Sequence, residues 1–444
     1  MTNRTSQTVI LAARRTPVGR FLGGLSRVPA PQLGAWAIEA VIKDAGLDKK
    51  DSPEVDECIM GCVLQAGLGQ NPARQAGLMA GLPNSLSAIT INKVCGSGLH
   101  AVMQASQSIR AMENSIVVAG GMENMSAAPH LAHVRSGIKF GAGELVDHMQ
   151  HDGLTCAFEG WGMGNAAEWI ADEYNISREA QDEFSATSHQ RTAAGIEAGW
   201  YKDEIIPLEA GQIKQRNDVK NDEGVRLDST VESLGKLRPA FSKDGTVTAG
   251  NASQISDGGA AVVVTTVEAA AAIGADPMVR IVDYNTVGVE PKKIFTAPGI
   301  GIAQLLERNN LTIDDVDLFE INEAFAVQLL QNIAHLNVDM SKVNIGGGGI
   351  AIGHPIGASG ARVLVSLIHH MQRTNASRGV VSLCLGGGNA VSMLVERERR
   401  SEDGTRLNSS HVVISYAVVC SKKKKSPPHI LCRLLLPNTL TITT

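Results

Sequence analysis

A cysteine lies at the centre of the stretch Asn92-Lys93-Val94-Cys95-Gly96-Ser97-Gly98-Leu99-His100. An apolar, strand-like segment at residues 88–91 precedes it, and a helical pattern follows at residues 99–105. This arrangement predicts a thiol at a sharp strand-to-helix turn, next to backbone N–H groups that have no partner within the helix. Such groups favour negative charge, so we expect them to lower the pKa of the Cys95 thiol and to hold an oxyanion. The alternative is a small buried cysteine that only packs.

Apolar strand patterns alternate with helical patterns on both sides of this turn. The predicted strands of the first half are residues 8–13, 55–63, 114–121 and 260–266, and the predicted helices are residues 33–45 and 71–80. Strands that alternate with helices indicate an α/β fold with a mostly parallel sheet covered on both faces.

The second half of the chain resembles the first, which suggests an internal repeat. A glycine-rich turn at residues 353–360, which contains His354, opens a helix as the Cys95 turn does. An apolar strand that runs into glycines at residues 378–388 matches the strand at residues 116–121. We therefore predict two similar halves whose helix N-termini, one with Cys95 and one with His354, meet near a pseudo-twofold axis.

The residues between the two halves have a different composition, with more charge and with Met, Trp, Phe and His in loops. We predict a large insertion outside the sheet that contains a helical pair, at residues 163–174 and 177–195. The predicted units are an N-terminal half (1–125 plus 248–278), a loop domain that binds coenzyme A (126–247), a C-terminal half (279–396) and an extension (397–444). The extension carries nine Lys/Arg against three Asp/Glu, and we predict that it is disordered.

Composition excludes several classes of protein. The 444 residues carry a net charge of −5, so nucleic acid is not an expected partner. The seven cysteines are odd in number and widely scattered, which disfavours a disulfide scaffold and predicts reduced thiols in the cytoplasm. Their spacing does not indicate a metal site. No apolar run approaches the ~20 residues of a membrane span, and no leader pattern precedes Thr8.

Four local sites carry reactive or polar groups: Cys95, Asn322 in the run Asn322-Glu323-Ala324-Phe325-Ala326, His354 and Cys384. Each is weak evidence alone, because a single buried cysteine or histidine is usually a packed residue. Together they supply a nucleophile, a base, a polar group for an oxyanion and a second thiol.

These four sites resemble the four signatures of the thiolase family. The motifs are Asn92–Gly98, Asn322–Ala326, Gly353-His354-Pro355-Ile356-Gly357 and Cys384-Leu385-Gly386-Gly387-Gly388, supported by residues 236–241 and 251–253. They occur in the family's order over residues 8–396, which is a specific match. The resemblance implies a duplicated α/β/α/β/α fold with a large loop-domain insertion. It also implies reversible Claisen condensation or thiolysis of acyl-CoA by a ping-pong mechanism.

The resemblance assigns roles to individual residues. Cys95 would carry the acyl group after His354 removes its proton, and Cys384, with a pKa near neutrality, would move the proton of the α-carbon. His354 and a water ordered by Asn322 would hold the enolate oxygen, while the N–H groups of Cys95 and Gly386 would hold the tetrahedral adduct. The family-matched coenzyme A contacts are Leu154, Met163, Arg226, Phe241, Ala249, Ser253, Ala324 and Phe325.

Two positions depart from the pattern of the short-chain biosynthetic members, Gly162 in place of a histidine and Ile294 in place of a methionine. Substrates with longer or branched acyl chains are therefore also compatible with the sequence. A ketoacyl synthase shares the architecture, but Asn322 and Cys384 favour a thiolase. The alternative to an enzyme is a catalytically silent protein that uses this fold to bind CoA or lipid. The resemblance further implies a homodimer or homotetramer, with acyl-CoA as substrate and no tightly bound cofactor.

Overall fold

The structure is a computed structural model that describes residues 7–397, which lie within one compact unit. Its strands are β1 (Thr8–Arg15), β2 (Gly19–Arg20), β3 (Glu57–Gly61), β4 (Ser87–Ile91), β5 (Ile116–Asn124), β6 (His130–Leu131), β7 (Val146–Asp147), β8 (Ser256–Thr266), β9 (Val279–Gly288), β10 (Leu318–Ile321), β11 (Arg378–Leu385) and β12 (Asn389–Glu396). Its α-helices are α1 (Ala30–Asp44), α2 (Pro72–Met79), α3 (Ser97–Arg110), α4 (Met163–Tyr174), α5 (Arg178–Glu197), α6 (Ala210–Ile213), α7 (Val231–Gly235), α8 (Val267–Ile273), α9 (Ala297–Arg308), α10 (Ala326–Leu336) and α11 (Ile356–Thr374). A π-helical turn spans Met149–Gly153, and 3₁₀ turns span Pro291–Thr296, Ile313–Asp315 and Met340–Lys342.

The main sheet has the strand order β10-β11-β12-β9-β1-β8-β5-β3-β4, with β2 paired to β8. Each half repeats one pattern: β3 and β5 are parallel and β8 is antiparallel to β5, as β10 and β11 are parallel and β12 is antiparallel to β11. The halves join where β1 pairs with β9, at Val9–Arg280 and Ile10–Val279. This symmetry about the junction confirms the α/β fold class and agrees with the predicted repeat.

Alternating side chains along the strands produce five layers. In β5, Val117 faces the central core formed with α3 and α11, whereas Val118 faces the core shared with α1. In β11, Val381 faces the central core and Val380 faces the core shared with α9 and α10. Because successive strand residues point to opposite faces, each half of the sheet is covered twice. The result is the α/β/α/β/α arrangement that the resemblance implies.

The central helices α3 and α11 touch through their backbones. A Cβ atom at Gly98 would lie 2.6 Å from the backbone nitrogen of Ala361, and one at Gly360 would overlap the backbone nitrogen of Leu99. Glycine is required at both positions because any side chain would push the helices apart. This contact brings the starts of both helices, and with them the Cys95 and His354 turns, to the same end of the layer.

Residues 126–247 contribute no strand to the main sheet; β6 and β7 pair only with each other. This agrees with the predicted insertion. The boundaries of the four predicted units stay a prediction, because residues 7–397 fall within a single compact unit. Within that range no helix has the length and apolarity to cross a membrane. The predicted disordered extension lies outside the described residues, except for Arg397.

Element positions follow the predictions with two informative differences. The bounds of α4 are as predicted, but α1 begins at Ala30 and not at Leu33, because Pro31 occupies its first turn. Strand β8 begins at Ser256 and not at Ala260, so Gly258 and Gly259 lie inside the strand. A Cβ atom at Gly259 would lie 2.5 Å from the carbonyl oxygen of Leu33, so this glycine permits the close approach of α1.

Candidate active site

Cys95 lies in the predicted turn between β4 and α3. The preceding residue, Val94, has a φ of +48°, a left-handed conformation that is strained for a β-branched side chain. The Ser97 hydroxyl stabilises this turn, since it accepts a hydrogen bond from the Lys93 N–H at 2.8 Å and donates to the Val94 carbonyl at 2.6 Å. The turn is therefore held in a conformation that an isolated chain would avoid.

The pKa of the Cys95 thiol is raised to about 12, first by burial and then by the charge of Glu123. The backbone N–H groups of Cys95 and Gly386 donate to the sulfur and lower the pKa, but by less. The N–H groups therefore lower the pKa as expected, but burial outweighs them, and the net shift is upward. Cys95 is a thiol at neutral pH and needs a base to become a nucleophile.

His354 precedes α11 and is buried. Burial, and next the charge of Arg362, lowers the pKa of its imidazole to about 3, so the ring is neutral at pH 7. Nδ1 lies 2.6 Å from the Ser359 hydroxyl oxygen. The backbone N–H of His354 donates to the Gln254 carbonyl at 3.1 Å, which fixes the turn. A neutral, oriented imidazole is a suitable proton acceptor.

Asn322 follows β10 and faces the same ring. Its side-chain Nδ2 lies 3.5 Å from both ring nitrogens of His354, and its backbone N–H donates to the Ser382 carbonyl at 2.9 Å. The neighbouring Glu323 carboxylate accepts from the Ser188 hydroxyl at 2.7 Å, which anchors this segment to α5. Asn322 is thus held by both its own backbone and the residue after it.

Cys384 lies at the end of β11 and is buried. Its pKa is raised well above the ordinary value, first by burial and then by the nearby charge of Cys95. The pKa near neutrality implied by the family is therefore not that of the free protein. A Cβ atom at Gly386 would lie 3.2 Å from Val94 Cγ1, so this segment packs on the Cys95 turn. The structure therefore places Cys95 beside Cys384 and Gly386, and Asn322 beside His354.

The predicted coenzyme A contacts divide into three groups. Met163, Ala324 and Phe325 share an apolar cluster with Cys384, and Leu154 lies in a neighbouring cluster with Cys95. Phe241 makes an edge-to-face contact with Phe325 at 6.2 Å, and the Ser253 N–H donates to the Ala324 carbonyl at 2.9 Å. Arg226 and Ala249 are exposed, and no contact places either of them against the reactive residues.

Sequence reasoning missed two residues of the site, Ser359 and Glu123. Ser359 stands five positions after His354 in the glycine-rich turn, and a polar residue at that spacing in a small-residue helix was a usable signal. Glu123 had no such signal. Its carboxylate accepts a hydrogen bond from the backbone N–H of Gly357, which lies 234 positions away in the sequence. Among residues 7–397 no cluster of three or more His, Cys, Asp or Glu is placed to bind a metal ion.

Comparisons with known proteins agree with this geometry. The thiolase N-terminal domain model matches residues 8–268, and the thiolase C-terminal domain model matches residues 275–397. The acetyl-CoA acetyltransferase of Cupriavidus necator is 50% identical to this chain over 398 residues, which cover 88% of this chain and 100% of the relative. The acetyl-CoA acetyltransferase of Escherichia coli is 49% identical over 391 residues, which cover 88% of this chain and 98% of the relative. The crystal structure of the Bacillus anthracis acetyl-CoA acetyltransferase matches with a TM-score of 0.85 at 40% identity, over 89% of this chain and 100% of that one. With its two halves, its four signatures and these relatives, the chain belongs to the thiolase family.

Proposed function

We propose that this protein is an acyltransferase of the acetyl-CoA C-acetyltransferase type. It catalyses the reversible thiolysis of a 3-ketoacyl-CoA, or the Claisen condensation of two acetyl-CoA, through an acyl-Cys95 intermediate. One observation carries the proposal: the Cys95 sulfur receives N–H donors from Cys95 and Gly386 beside a second buried thiol. The acetyl-CoA acetyltransferases among its relatives support the choice of substrate.

In the thiolytic direction, the Cys95 thiol gives its proton to His354 Nε2, and the thiolate attacks the β-carbonyl of the substrate. The N–H groups of Cys95 and Gly386 stabilise the resulting oxyanion. The carbon–carbon bond then breaks, which leaves the acyl group on Cys95 and an acetyl-CoA enolate. The enolate oxygen lies against the new Nε2–H of His354, and a water ordered by Asn322 supplies the second donor.

Cys384 then gives its proton to the enolate carbon, and acetyl-CoA leaves. A Cys384 thiolate and a protonated His354 remain, with no net charge between them. Coenzyme A passes its thiol proton to Cys384 and attacks the acyl-Cys95 thioester, and the released Cys95 thiolate recovers its proton from His354.

The proposed substrate range rests on Ile294 and Gly162, the two positions that depart from the short-chain members. Ile294 is buried in the apolar cluster around Cys384, and a Cβ atom at Gly162 would meet nothing closer than 3.4 Å. We infer that this chain accepts acyl groups longer than acetyl. Steady-state rates on acetoacetyl-CoA and on longer 3-ketoacyl-CoAs test this, and activity on acetoacetyl-CoA alone would contradict it.

The coenzyme A site is proposed to lie over the insertion, at the family-matched residues given above, with no other cofactor tightly bound. The protein is proposed to be cytoplasmic, which agrees with the five cysteines of residues 7–397 all being free. It is further proposed to be a homodimer or homotetramer. Support comes from β4, which is the last strand of the sheet and leaves Ile89 45% exposed, because exposed edge strands tend to pair.

The test of the proposed function is the CoA-dependent loss of the ultraviolet absorbance of a 3-ketoacyl-CoA enolate. We expect Cys95→Ala to abolish turnover and the acyl adduct seen by intact-mass spectrometry. Cys384→Ser is expected to keep that adduct when acetyl-CoA is the donor, but to lose most carbon–carbon bond formation. An inactive wild type that still binds CoA would support the catalytically silent alternative, and full activity of Cys95→Ala would exclude the proposed mechanism.

A further inference from the structure

Ser359 lies in the first turn of α11 and is completely buried. Its hydroxyl oxygen is 2.6 Å from Nδ1 of His354 and 2.8 Å from the carbonyl oxygen of Pro355, to which it donates. It is therefore placed between the backbone of the helix start and the ring that we assign as the base. The family resemblance gives it no role.

The hydrogen count of this contact determines the tautomer of the ring. A serine hydroxyl carries a single proton, and its two acceptors within reach are the Pro355 carbonyl, four residues earlier in the helix, and Nδ1 of His354. When the hydroxyl donates to the carbonyl, the 2.6 Å contact is a hydrogen bond in which His354 Nδ1 carries the proton and donates it to Ser359. Nε2 is left with a lone pair. The Asn322 amide nitrogen lies 3.5 Å from both ring nitrogens and does not distinguish the two tautomers.

We propose that Ser359 is a positioning residue that holds His354 as the Nδ1–H tautomer, so that Nε2 alone carries the proton traffic of the reaction. Nε2 takes the Cys95 proton and presents the same proton, as an N–H, to the enolate oxygen. Nδ1 keeps its proton in every step, and Ser359 neither gains nor loses one. This inference rests on the proposed function for its catalytic meaning, but not for the hydrogen bond itself.

The choice of a hydroxyl at this position has a physical consequence. The charged or titratable groups around the site are Arg362 on α11, Glu123 on β5 and Cys384 on β11. The charge of Arg362 lowers the pKa of His354. Glu123 and Cys384 interact electrostatically with Cys95. A carboxylate at Nδ1 would favour a protonated ring. A hydroxyl orients the imidazole equally well and leaves it neutral, ready to accept the proton of a thiol.

The first experiment is solid-state ¹⁵N NMR of the full-length protein labelled at histidine, with the His354 signals assigned by their loss in His354→Gln. We expect a protonated Nδ1 and an unprotonated Nε2 in the wild type. A protonated Nε2 in the free enzyme would overturn the proposal outright.

The second experiment compares Ser359→Ala with Ser366→Ala. Ser366 is an equally buried serine of α11, but its hydroxyl donates to Glu204 at 2.7 Å. We expect Ser359→Ala to show a mixture of His354 tautomers and to slow the alkylation of Cys95 by iodoacetamide about tenfold or more, because the base is no longer held in one state. Ser366→Ala should change neither.

A Ser359→Ala protein with the wild-type tautomer and the wild-type alkylation rate would refute the role. Neither measurement uses an acyl-CoA. A failure of the proposed acyl-transfer activity would therefore leave both results standing, and the two hypotheses are distinguishable.

Discussion

At the scale of single residues, Glu123 is a buried carboxyl group beside the reactive cysteine. Its buried carboxylate accepts hydrogen bonds from the backbone N–H groups of Val63 at 3.0 Å, Leu64 at 3.1 Å and Gly357 at 2.9 Å. Burial raises its pKa to about 7 in spite of these donors. Its charge in turn contributes to the raised pKa of the Cys95 thiol. The reactivity of the nucleophile therefore depends on a buried carboxyl group outside the four signatures.

We expect Glu123→Gln to shift the pH profile of Cys95 alkylation to lower pH. A negative charge beside a thiol opposes its ionisation, so removal of the charge lowers the thiol pKa. The measurement is the rate of iodoacetamide labelling of Cys95 between neutral and alkaline pH. The control is Asp257→Asn. Burial likewise raises the pKa of Asp257, to about 6, but Asp257 is not among the groups that shift the pKa of Cys95 most. An unshifted profile in Glu123→Gln would contradict the expectation.

The reactive residues could be predicted from sequence because each stands in a dense local motif. Cys95, His354, Cys384 and Asn322 were all identified this way, and the fold places Cys95 beside Cys384 and Asn322 beside His354. Their ionisation was not predictable, because the pKa of Cys95 is set mainly by burial, and burial is a property of the whole packing. Glu123 was invisible for the same reason, as its partners come from distant parts of the chain.

At the scale of secondary-structure elements, the contact of α3 with α11 determines how the two halves of the site meet. Gly360→Ala would place a methyl group against the backbone nitrogen of Leu99. Rigid backbone cannot yield as a side chain does, so we expect a loss of about 1–3 kcal/mol in the free energy of unfolding. Slower alkylation of Cys95 should accompany it, because the two helix starts move apart.

Urea denaturation and the alkylation rate measure these effects. The matched control is Gly211→Ala in α6, where an added Cβ would meet nothing within 4 Å. That substitution should be neutral or stabilise by about 0.4–1 kcal/mol, because alanine restricts the unfolded chain. Equal stability of Gly360→Ala and Gly211→Ala would show that the helices can separate freely.

Most elements were predictable because their apolar periodicity is strong. The bounds of α4 agree with its pattern, and β11 was predicted from its apolar run. The start of β8 was missed because its glycines resemble a loop, whereas they admit the backbone of α1. A glycine that breaks a strand and one that permits close packing look the same in a sequence.

At the scale of the whole molecule, Arg15 joins the main sheet to the insertion. It is fully buried on β1 and pairs with Glu204 at 2.5 Å and with Asp222 at 2.7 Å. Burial is the largest influence on Glu204 and alone would raise its pKa. The charges of Arg15, His369 and His370 and the hydrogen bond from Arg15 together outweigh burial, and the pKa falls to about 2. A depressed carboxyl pKa contributes stability at neutral pH that is lost as the pH falls towards 2.

Arg15→Met should therefore lower the free energy of unfolding by about 3–5 kcal/mol at pH 7, because it leaves two buried carboxylates without their cation. The difference from wild type should shrink as the pH falls from about 4 towards 2. The control is the neighbouring Arg14→Met, which removes a pair with Asp44 whose side chain is 42% exposed. That change should cost at most about 1 kcal/mol. Equal losses in the two variants would refute the argument.

The last prediction concerns where the folded enzyme ends. Strand β12 ends at Glu396, whose carboxylate bonds to the Arg378 side chain at 2.8 Å, and the Arg397 side chain donates to the Met371 carbonyl at 3.1 Å. The thiolase C-terminal domain model also ends at residue 397, and the Cupriavidus necator relative is matched over its whole length by 88% of this chain.

We therefore expect a protein truncated after Arg397 to keep the melting temperature and the acyl-transfer rate of the full chain. A truncation after Leu394 is the control. It removes the last strand pairings, Val395 with Ile281 and Glu396 with Arg280, and should lower the melting temperature. Differential scanning calorimetry and the 3-ketoacyl-CoA assay measure both effects. Loss of activity in the longer protein would show that residues 398–444 take part in catalysis or assembly, and the enzyme would then extend beyond its family-matched body.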